Sequence, residues 1–361
     1  MGLRLSVLDQ SPVPSGSTPS DALQNSISLA RHVDALGFTR LWYSEHHAMD
    51  LLACTAPEIL ITRAAAETSR IRVGSGGIML PHYSSLKVAE VFRTLHAMFP
   101  NRIDLGIGRA PGGGQLEAFA LRRDRKGPVP DDFPQQLAEL RAFLHPERWA
   151  LSSNSPDGIH PFAKIRVAPD APGAPDIWLL GSSMWSAVTA AQQGLPYAFA
   201  HFFSPIQTRQ AIEYYQRNFV PSGDQDDRAT PEATLAIGAI CADTGAEAQR
   251  LYSSVQLLQR RIRMDDRRPV AAPEDALREL AAVPTAPNPL LPFTAGSLDG
   301  PDDNEWLRYF VGTPDKVAAQ LRGLAAELNL SEIIVNTITH DHDARLRSYS
   351  LLAREMNLPR N

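Results

Sequence analysis

Residues 102–114 read Arg102-Ile103-Asp104-Leu105-Gly106-Ile107-Gly108-Arg109-Ala110-Pro111-Gly112-Gly113-Gly114. The stretch opens as a β-strand and ends in turn-forming residues. Gly106-x-Gly108 behind a strand invites a dinucleotide-binding reading, in which the glycines lead directly into a helix and an acidic residue closes a second strand about twenty residues on. Here Pro111 and three glycines stand where that helix should open, and no such acidic residue follows. The run is therefore read as a parallel strand with a glycine and an arginine at its carboxyl end, and the rest of the chain decides what sheet it joins.

Outward from it, short β-rich runs alternate with longer amphipathic ones. Strands are expected at Leu3 to Leu8, Arg40 to Ser44, Ile71 to Ser75, Arg102 to Gly108, Asp176 to Leu180, Tyr197 to Ala200, Ala233 to Ala242 and Glu332 to Asn336. Helical spacing of apolar residues follows at Ser20 to Leu36, Thr55 to Ser69, Ser85 to Met98, Ser183 to Gln193, Pro205 to Asn218, Ala246 to Met264, Pro314 to Glu327 and Asp343 to Met356. Ser20, Thr55 and Thr313 are expected to cap helices, with Pro314 at a first helical position. This rhythm predicts one α/β domain over residues 1–361, a single (β/α)8 TIM barrel, with loop insertions near 109–175 and 265–312. Such insertions serve either as lids over the mouth or as surface decoration.

Composition narrows the class. With 43% apolar residues the chain has material for a large core, and 35 Lys and Arg against 40 Asp and Glu leave a net charge of −5. The basic clusters at Arg122 to Lys126 and Arg260 to Arg268 are interrupted, so no nucleic-acid partner is expected. Cys54 and Cys241 form neither a CxxC pair nor a disulfide framework, which suits a reducing compartment. No signal pattern and no apolar run of about eighteen residues appears, so a cytoplasmic chain without membrane contact is expected.

In a barrel, chemistry gathers where the strands end. Those positions carry Asp9-Gln10-Ser11, Ser44-Glu45-His46-His47, Ser75-Gly76-Gly77, Gly108-Arg109, Gly181-Ser182-Ser183, His201 and Asn336. Gly181-Ser182-Ser183 lies between a strand and a helix, where it either cradles a phosphate, with Arg109 as the matching charge, or caps the helix in the ordinary way. His46 and His47 are neighbours whose side chains diverge on an extended segment. One can serve as acid or base while the other hydrogen-bonds in the wall. Glu45 beside them does not make a His-Glu-x-x-His zinc helix, and His340-Asp341-His342-Asp343 reads as a helix start, so no metal is expected. Trp42, Phe92, Trp178 and Trp185 read as packing residues, with Trp185 near enough to Ser183 to touch a site.

Taken in order, Ser6-Val7-Leu8-Asp9-Gln10-Ser11-Pro12, Leu41-Trp42-Tyr43-Ser44-Glu45-His46-His47, Val73-Gly74-Ser75-Gly76-Gly77-Ile78-Met79-Leu80-Pro81, the 102–112 run, Trp178-Leu179-Leu180-Gly181-Ser182-Ser183 and Gly194-Leu195-Pro196-Tyr197 resemble the bacterial luciferase-like flavin monooxygenases over nearly the whole chain. The resemblance implies a catalytic His46 that assists proton transfer. It implies an FMN phosphate held by Arg109, Ser182, Ser183 and Ser186 beside Gly108 and Gly181, and a cis peptide at Gly76-Gly77 under the isoalloxazine ring. It also implies that FMNH2 and the co-substrate O2 form a C4a-(hydro)peroxyflavin in a dry pocket, which oxygenates a small organic metabolite by hydroxylation, epoxidation or Baeyer-Villiger chemistry. A separate flavin reductase and a homodimer, paired through the helices after strands two and three, are the implied partners. The alternatives are a deazaflavin- or NAD(P)H-linked reductase on the same barrel and a flavin-binding protein that does not turn over.

Overall fold

Every ladder in the computed structural model, which describes residues 2–121, 132–151, 160–222, 228–282 and 306–359, is parallel. The strands are β1 (Arg4–Asp9), β2 (Arg40–Tyr43), β3 (Arg72–Met79), β4 (Ile103–Gly108), β5 (Asp176–Gly181), β6 (Tyr197–Ala200), β7 (Ala233–Cys241), β8 (Tyr309–Gly312) and β9 (Glu332–Asn336). Their order is β6-β5-β4-β3-β2-β1-β9-β7-β8, and pairing of β6 with β7 closes the sheet. The closed ring thus has eight strands with β9 as the last, which is a (β/α)8 barrel.

The strand β8 corrects the sequence reading, which had 265–312 as a loop insertion. Tyr309–Gly312 pairs only with the far half of β7, Gly238–Cys241, beyond the point where β6 ends. The Tyr309 ring occupies the place that a side chain at 238 would take, 2.2 Å from an ideal Cβ there, so only glycine fits. The same insertion also holds the helix Pro273–Ala282, and the earlier one holds Gln115–Leu121 and Phe133–Leu144. The basic cluster Arg122 to Lys126 and residues 283–305 of the second insertion lie outside the described residues.

The helices are α1 (Pro19–Leu36), α2 (Pro57–Glu67), α3 (Ser85–Met98), α4 (Gln115–Leu121), α5 (Phe133–Leu144), α6 (Met184–Gln193), α7 (Thr208–Asn218), α8 (Gly245–Arg263), α9 (Pro273–Ala282), α10 (Pro314–Glu327) and α11 (His342–Glu355). Two expected caps move. In α1 the cap is Thr18, not Ser20: Thr18 and Asp21 form a capping box, and Pro19 takes the first turn, where its missing N–H costs nothing. In α2 the cap is Ala56, without a side-chain bond, so Thr55 plays no capping part. Thr313 does precede Pro314 at the start of α10, without a capping bond of its own. Asp341 caps α11 by accepting from Ala344 N at 2.7 Å, which accounts for the His340–Asp343 run. Among the described residues no cluster of His, Cys, Asp or Glu could hold a metal, and no helix is long and apolar enough to cross a membrane.

Strand alternation sorts the side chains. Leu5, Val7, Leu41, Val73, Ile103, Leu105, Leu179, Tyr197 and Val335 face outward and make the main core with the helices. Inside, at the amino end, Arg40 donates from Nε to Glu332 Oε1 at 2.6 Å and from Nη1 to Asp104 Oδ2 at 2.9 Å, while Arg72 Nε bonds Asp104 Oδ1 at 2.8 Å. Burial alone would raise the Asp104 carboxyl, but the charges of Arg40 and Arg72 outweigh it and hold it below its ordinary value. Above these ions lies an apolar layer of Leu8, Trp42, Trp178, Ala198, Ala236 and Ile334. The two indoles meet edge to face at 5.3 Å, and the Arg40 guanidinium lies 4.6 Å from the Trp178 ring. The barrel is therefore plugged from below, and access is from the carboxyl ends of the strands.

Candidate active site at the carboxyl ends of the strands

Beyond Arg72 and Asp104, the inward positions toward the carboxyl ends of β3 and β4 are glycines. An added Cβ at Gly106 would lie 2.1 Å from the Ser75 carbonyl oxygen, and one at Gly76 would lie 2.7 Å from Leu8 and 3.0 Å from Trp42. The peptide bond between Gly76 and Gly77 is cis. Gly108 is different: the nearest neighbour of an added Cβ is the Met79 sulfur at 3.5 Å, an ordinary contact. This half of the mouth presents backbone rather than side chains, which gives a flat group a surface to lie on.

The next strand supplies polar groups. Because Gly106 pairs with Trp178, β4 and β5 are neighbours, and the residues after each emerge side by side. Arg109 is exposed, and its guanidinium lies 4.5 Å from the ring of Trp185, a residue of the first turn of α6. Ser183 is the N-cap of α6, but its hydroxyl makes no capping bond. Of the two readings of Gly181-Ser182-Ser183, the ordinary cap therefore does not apply to the Ser183 hydroxyl. Ser186 differs from the other serines. It is buried and its hydroxyl is used within the protein, donating to Ser183 O at 2.7 Å and lying 2.9 Å from Tyr197 Oη. Gly181 leaves room for it, since an added Cβ would meet Ser186 Oγ at 2.2 Å. Ser186 thus shapes the turn from beneath. Sequence reading missed Gln207, whose Oε1 accepts from Met184 N at 3.1 Å at the same helix start. Only the folded chain brings it there.

Across the mouth, β2 runs into the two histidines. Continued alternation turns Ser44 and His46 inward and Glu45 and His47 outward. His46 Nδ1 lies 3.1 Å from Ser44 Oγ, its backbone N–H donates to Cys54 O at 3.0 Å, and its Nε2 has no hydrogen-bond partner among the described residues. Burial, with a smaller contribution from His47, pushes its pKa down to about 4. The ring is therefore neutral at ordinary pH, with one nitrogen able to donate and the other to accept a hydrogen bond. His47 instead bonds through Nε2 to Glu45 Oε1 at 2.7 Å. Glu45 is fully buried and also accepts from Tyr83 Oη at 2.7 Å and Met79 N at 2.9 Å, so it ties the end of β2 to the end of β3. It stands beside His46 in the sequence, yet nothing in the spacing reveals these three donors.

His201, at the end of β6, is committed within the protein: Nδ1 lies 2.7 Å from Thr208 Oγ1 and Nε2 lies 3.0 Å from Leu307 O. On the remaining side, Asn336 Nδ2 donates to Gln10 Oε1 at 2.7 Å, joining the ends of β9 and β1. The rim thus brings together a neutral imidazole, a cation beside an uncapped helix start, and a glycine-faced wall.

Known proteins resemble the chain over most of its length. The family model described as luciferase-like monooxygenase matches residues 3–331. The uncharacterized protein YwcH of Bacillus subtilis (strain 168) is 41% identical over 352 residues, covering 96% of this chain and 97% of its own. A luciferase-like monooxygenase of Escherichia coli (strain K12) is 36% identical over 349 residues, covering 97% and 96%. The crystal structure of apo-MsnO8 superposes with a TM-score of 0.85 at 45% identity, covering 99% of this chain and 100% of that one. A match of this extent, on a barrel whose carboxyl rim carries such a site, means that the chain belongs to the luciferase-like monooxygenase family and is a flavin-dependent monooxygenase.

Proposed function

We propose that the protein takes FMN as its flavin, in the reduced state, and oxygenates a small organic metabolite with O2. The observation that carries this reading is the start of α6, where the Ser183 hydroxyl is left without a capping bond next to the exposed cation Arg109. A terminal phosphate can accept from a hydroxyl, a guanidinium and the amides of a helix start together. The donors suit FMN: Arg109, Ser182, Ser183 and the first amides of α6 would hold the phosphate, and the glycine wall of Gly76, Gly77 and Gly108 leaves room for the ring. Ser186 and Gly181 would support that cradle from below.

When bound, reduced FMN supplies two electrons and O2 supplies the oxygen, one atom of which enters the substrate while the other leaves as water. The chain's own residues do the rest. His46, uncharged and with Nε2 open, would accept a proton from the reacting group and return it as water departs. Glu45 would hold the loop that carries His46 in place. The apolar layer of Leu8, Trp42, Trp178 and Ile334 closes the barrel to water from below. No nicotinamide-binding unit is present in the sequence, so a separate flavin reductase would deliver the reduced flavin.

Equilibrium titration tests the cofactor. FMN should bind at least tenfold more tightly than FAD, and an Arg109→Ala, Ser183→Ala double variant should lose most of that affinity, as expected when charge-assisted hydrogen bonds to a phosphate are removed. Tighter binding of FAD, or unchanged FMN affinity in the double variant, would refute the assignment.

A further inference from the structure

The inner wall of the barrel is built in layers, and one pair of side chains in the top layer is only half satisfied. Ser6, Leu8 and Gln10 point inward along β1, as do Glu332, Ile334 and Asn336 along β9. Gln10 and Asn336 therefore stand directly above Leu8 and Ile334, on the face of the apolar layer turned to the mouth. They share one hydrogen bond, from Asn336 Nδ2 to Gln10 Oε1. Asn336 is fully buried, and its Oδ1 has no hydrogen-bond partner. Gln10 is half-buried, and its Nε2 makes no hydrogen bond among the described residues. Turning both amides over keeps the bond between them and again leaves one carbonyl and one amino group unfilled.

A buried carbonyl without a donor is unfavourable, and native proteins rarely leave one so. Leu8 and Ile334 can offer it nothing from below. Its partner must come from the mouth. The two open ends sit on adjacent strands, whose backbones run about 4.8 Å apart, and together they ask for one donor and one acceptor side by side. A carboxylate lacks the donor that the carbonyl needs. What fits is an edge carrying N–H beside C=O.

We propose that Gln10 and Asn336 form a recognition site for a planar amide or imide edge in the mouth of the barrel. This rests on the flavin reading above, and two sources carry that chemistry: the imide edge of the flavin ring, and an amide in the substrate. The pair lies on the far side of β2 from β4 and β5, whose ends carry the proposed phosphate site. It therefore meets whichever part of the bound molecules reaches across the barrel past His46.

The experiment measures binding by wild type, Asn336→Leu, Gln10→Met and Asn336→Asp, with thermal melts to verify folding; Asn336→Asp keeps the shape but loses the donor. The ligands are FMN, N3-methyl-FMN, and the matched pair N-butylacetamide and butyl acetate, offered to apoprotein and to FMN-loaded protein. If the flavin is the source, wild type binds FMN about tenfold more tightly than N3-methyl-FMN, and the variants lose that preference. If the substrate is the source, FMN affinity is unchanged in the variants. Wild type then prefers the amide to the ester by about tenfold, and the variants do not. Folded variants that match wild type with all four ligands would overturn the proposal. Wild type that fails to bind FMN yet prefers the amide would refute the flavin reading and leave the amide site standing.

Discussion

His46 is the residue on which the proposed chemistry turns, and its surroundings give it a definite protonation state. With its pKa pushed down to about 4 from 6.5, the folded protein keeps the ring neutral where the unfolded chain would protonate it. Between pH 6.5 and 4 the unfolded state therefore binds the extra proton, so His46 makes the protein less stable as pH falls through that window and contributes no pH dependence above it. His201, lowered to about 4 by burial, acts in the same direction. His46→Ala should slow single-turnover oxygenation with prereduced FMN by about 10²-fold, a usual scale for losing a general base. FMN affinity should stay near wild type, and the acid sensitivity between pH 6.5 and 4 should weaken. His47→Ala should cost less, because its ring bonds Glu45 rather than facing the mouth. Equal damage from the two substitutions would remove the assigned role. The sequence marked His46 and His47 as a diverging pair, and in the structure the two rings bond different partners, Ser44 and Glu45. The depressed pKa was not legible, since it arises mainly from burial created by the folded loop, with only a smaller contribution from the neighbouring His47.

Among the elements, the barrel strands were legible because each pairs inward and outward alternation with a polar residue at its end. β3 shows the limit. It was expected to stop at Ser75 and in fact runs to Met79, through glycines that carry no hydrophobic alternation. β8 was missed because four residues, Tyr309–Gly312, pair only with the part of β7 beyond the end of β6, and no periodicity in the sequence records that extension. In the basic cluster Arg260 to Arg268, Arg261 bonds Glu279, Arg267 bonds Glu117 of α4, and Arg268 bonds Asp266. Of these, the Arg267–Glu117 pair joins the two insertions, and Arg267 also reaches Ala48 O in the loop after the histidines. On the outer side of the barrel, Ile59 in α2 and Met98 at the end of α3 are 67% and 55% exposed, more apolar surface than helices facing a single core require. We expect these helices to pair two copies of the chain. Sedimentation velocity at micromolar concentration should give a dimer, and an Ile59→Lys, Met98→Lys double variant should give a monomer that still melts cooperatively. A monomeric wild type would contradict the pairing.

For the whole molecule, the closed barrel followed from counting strands, but its interior did not. Ser6, Arg40, Asp104 and Glu332 meet in one buried network, although Ser6 and Glu332 are 326 residues apart in sequence, the same separation as Asn336 and Gln10. Such contacts are set by closure of the ring, which brings β9 beside β1, and local pattern carries no trace of them. The layers that result, ions below, indoles and aliphatic side chains in the middle, and glycine, imidazole and amide groups above, give the molecule one reactive end. The most direct test supplies the protein with FMNH2 from a reductase, under isotopically labelled O2, together with a panel of small metabolites, and follows the products by mass spectrometry. The account predicts that at least one metabolite gains a single labelled oxygen atom, and that the product vanishes when FMN is omitted. Products that differ from their substrates only by two hydrogens, or O2 consumed entirely to hydrogen peroxide across the panel, would contradict it.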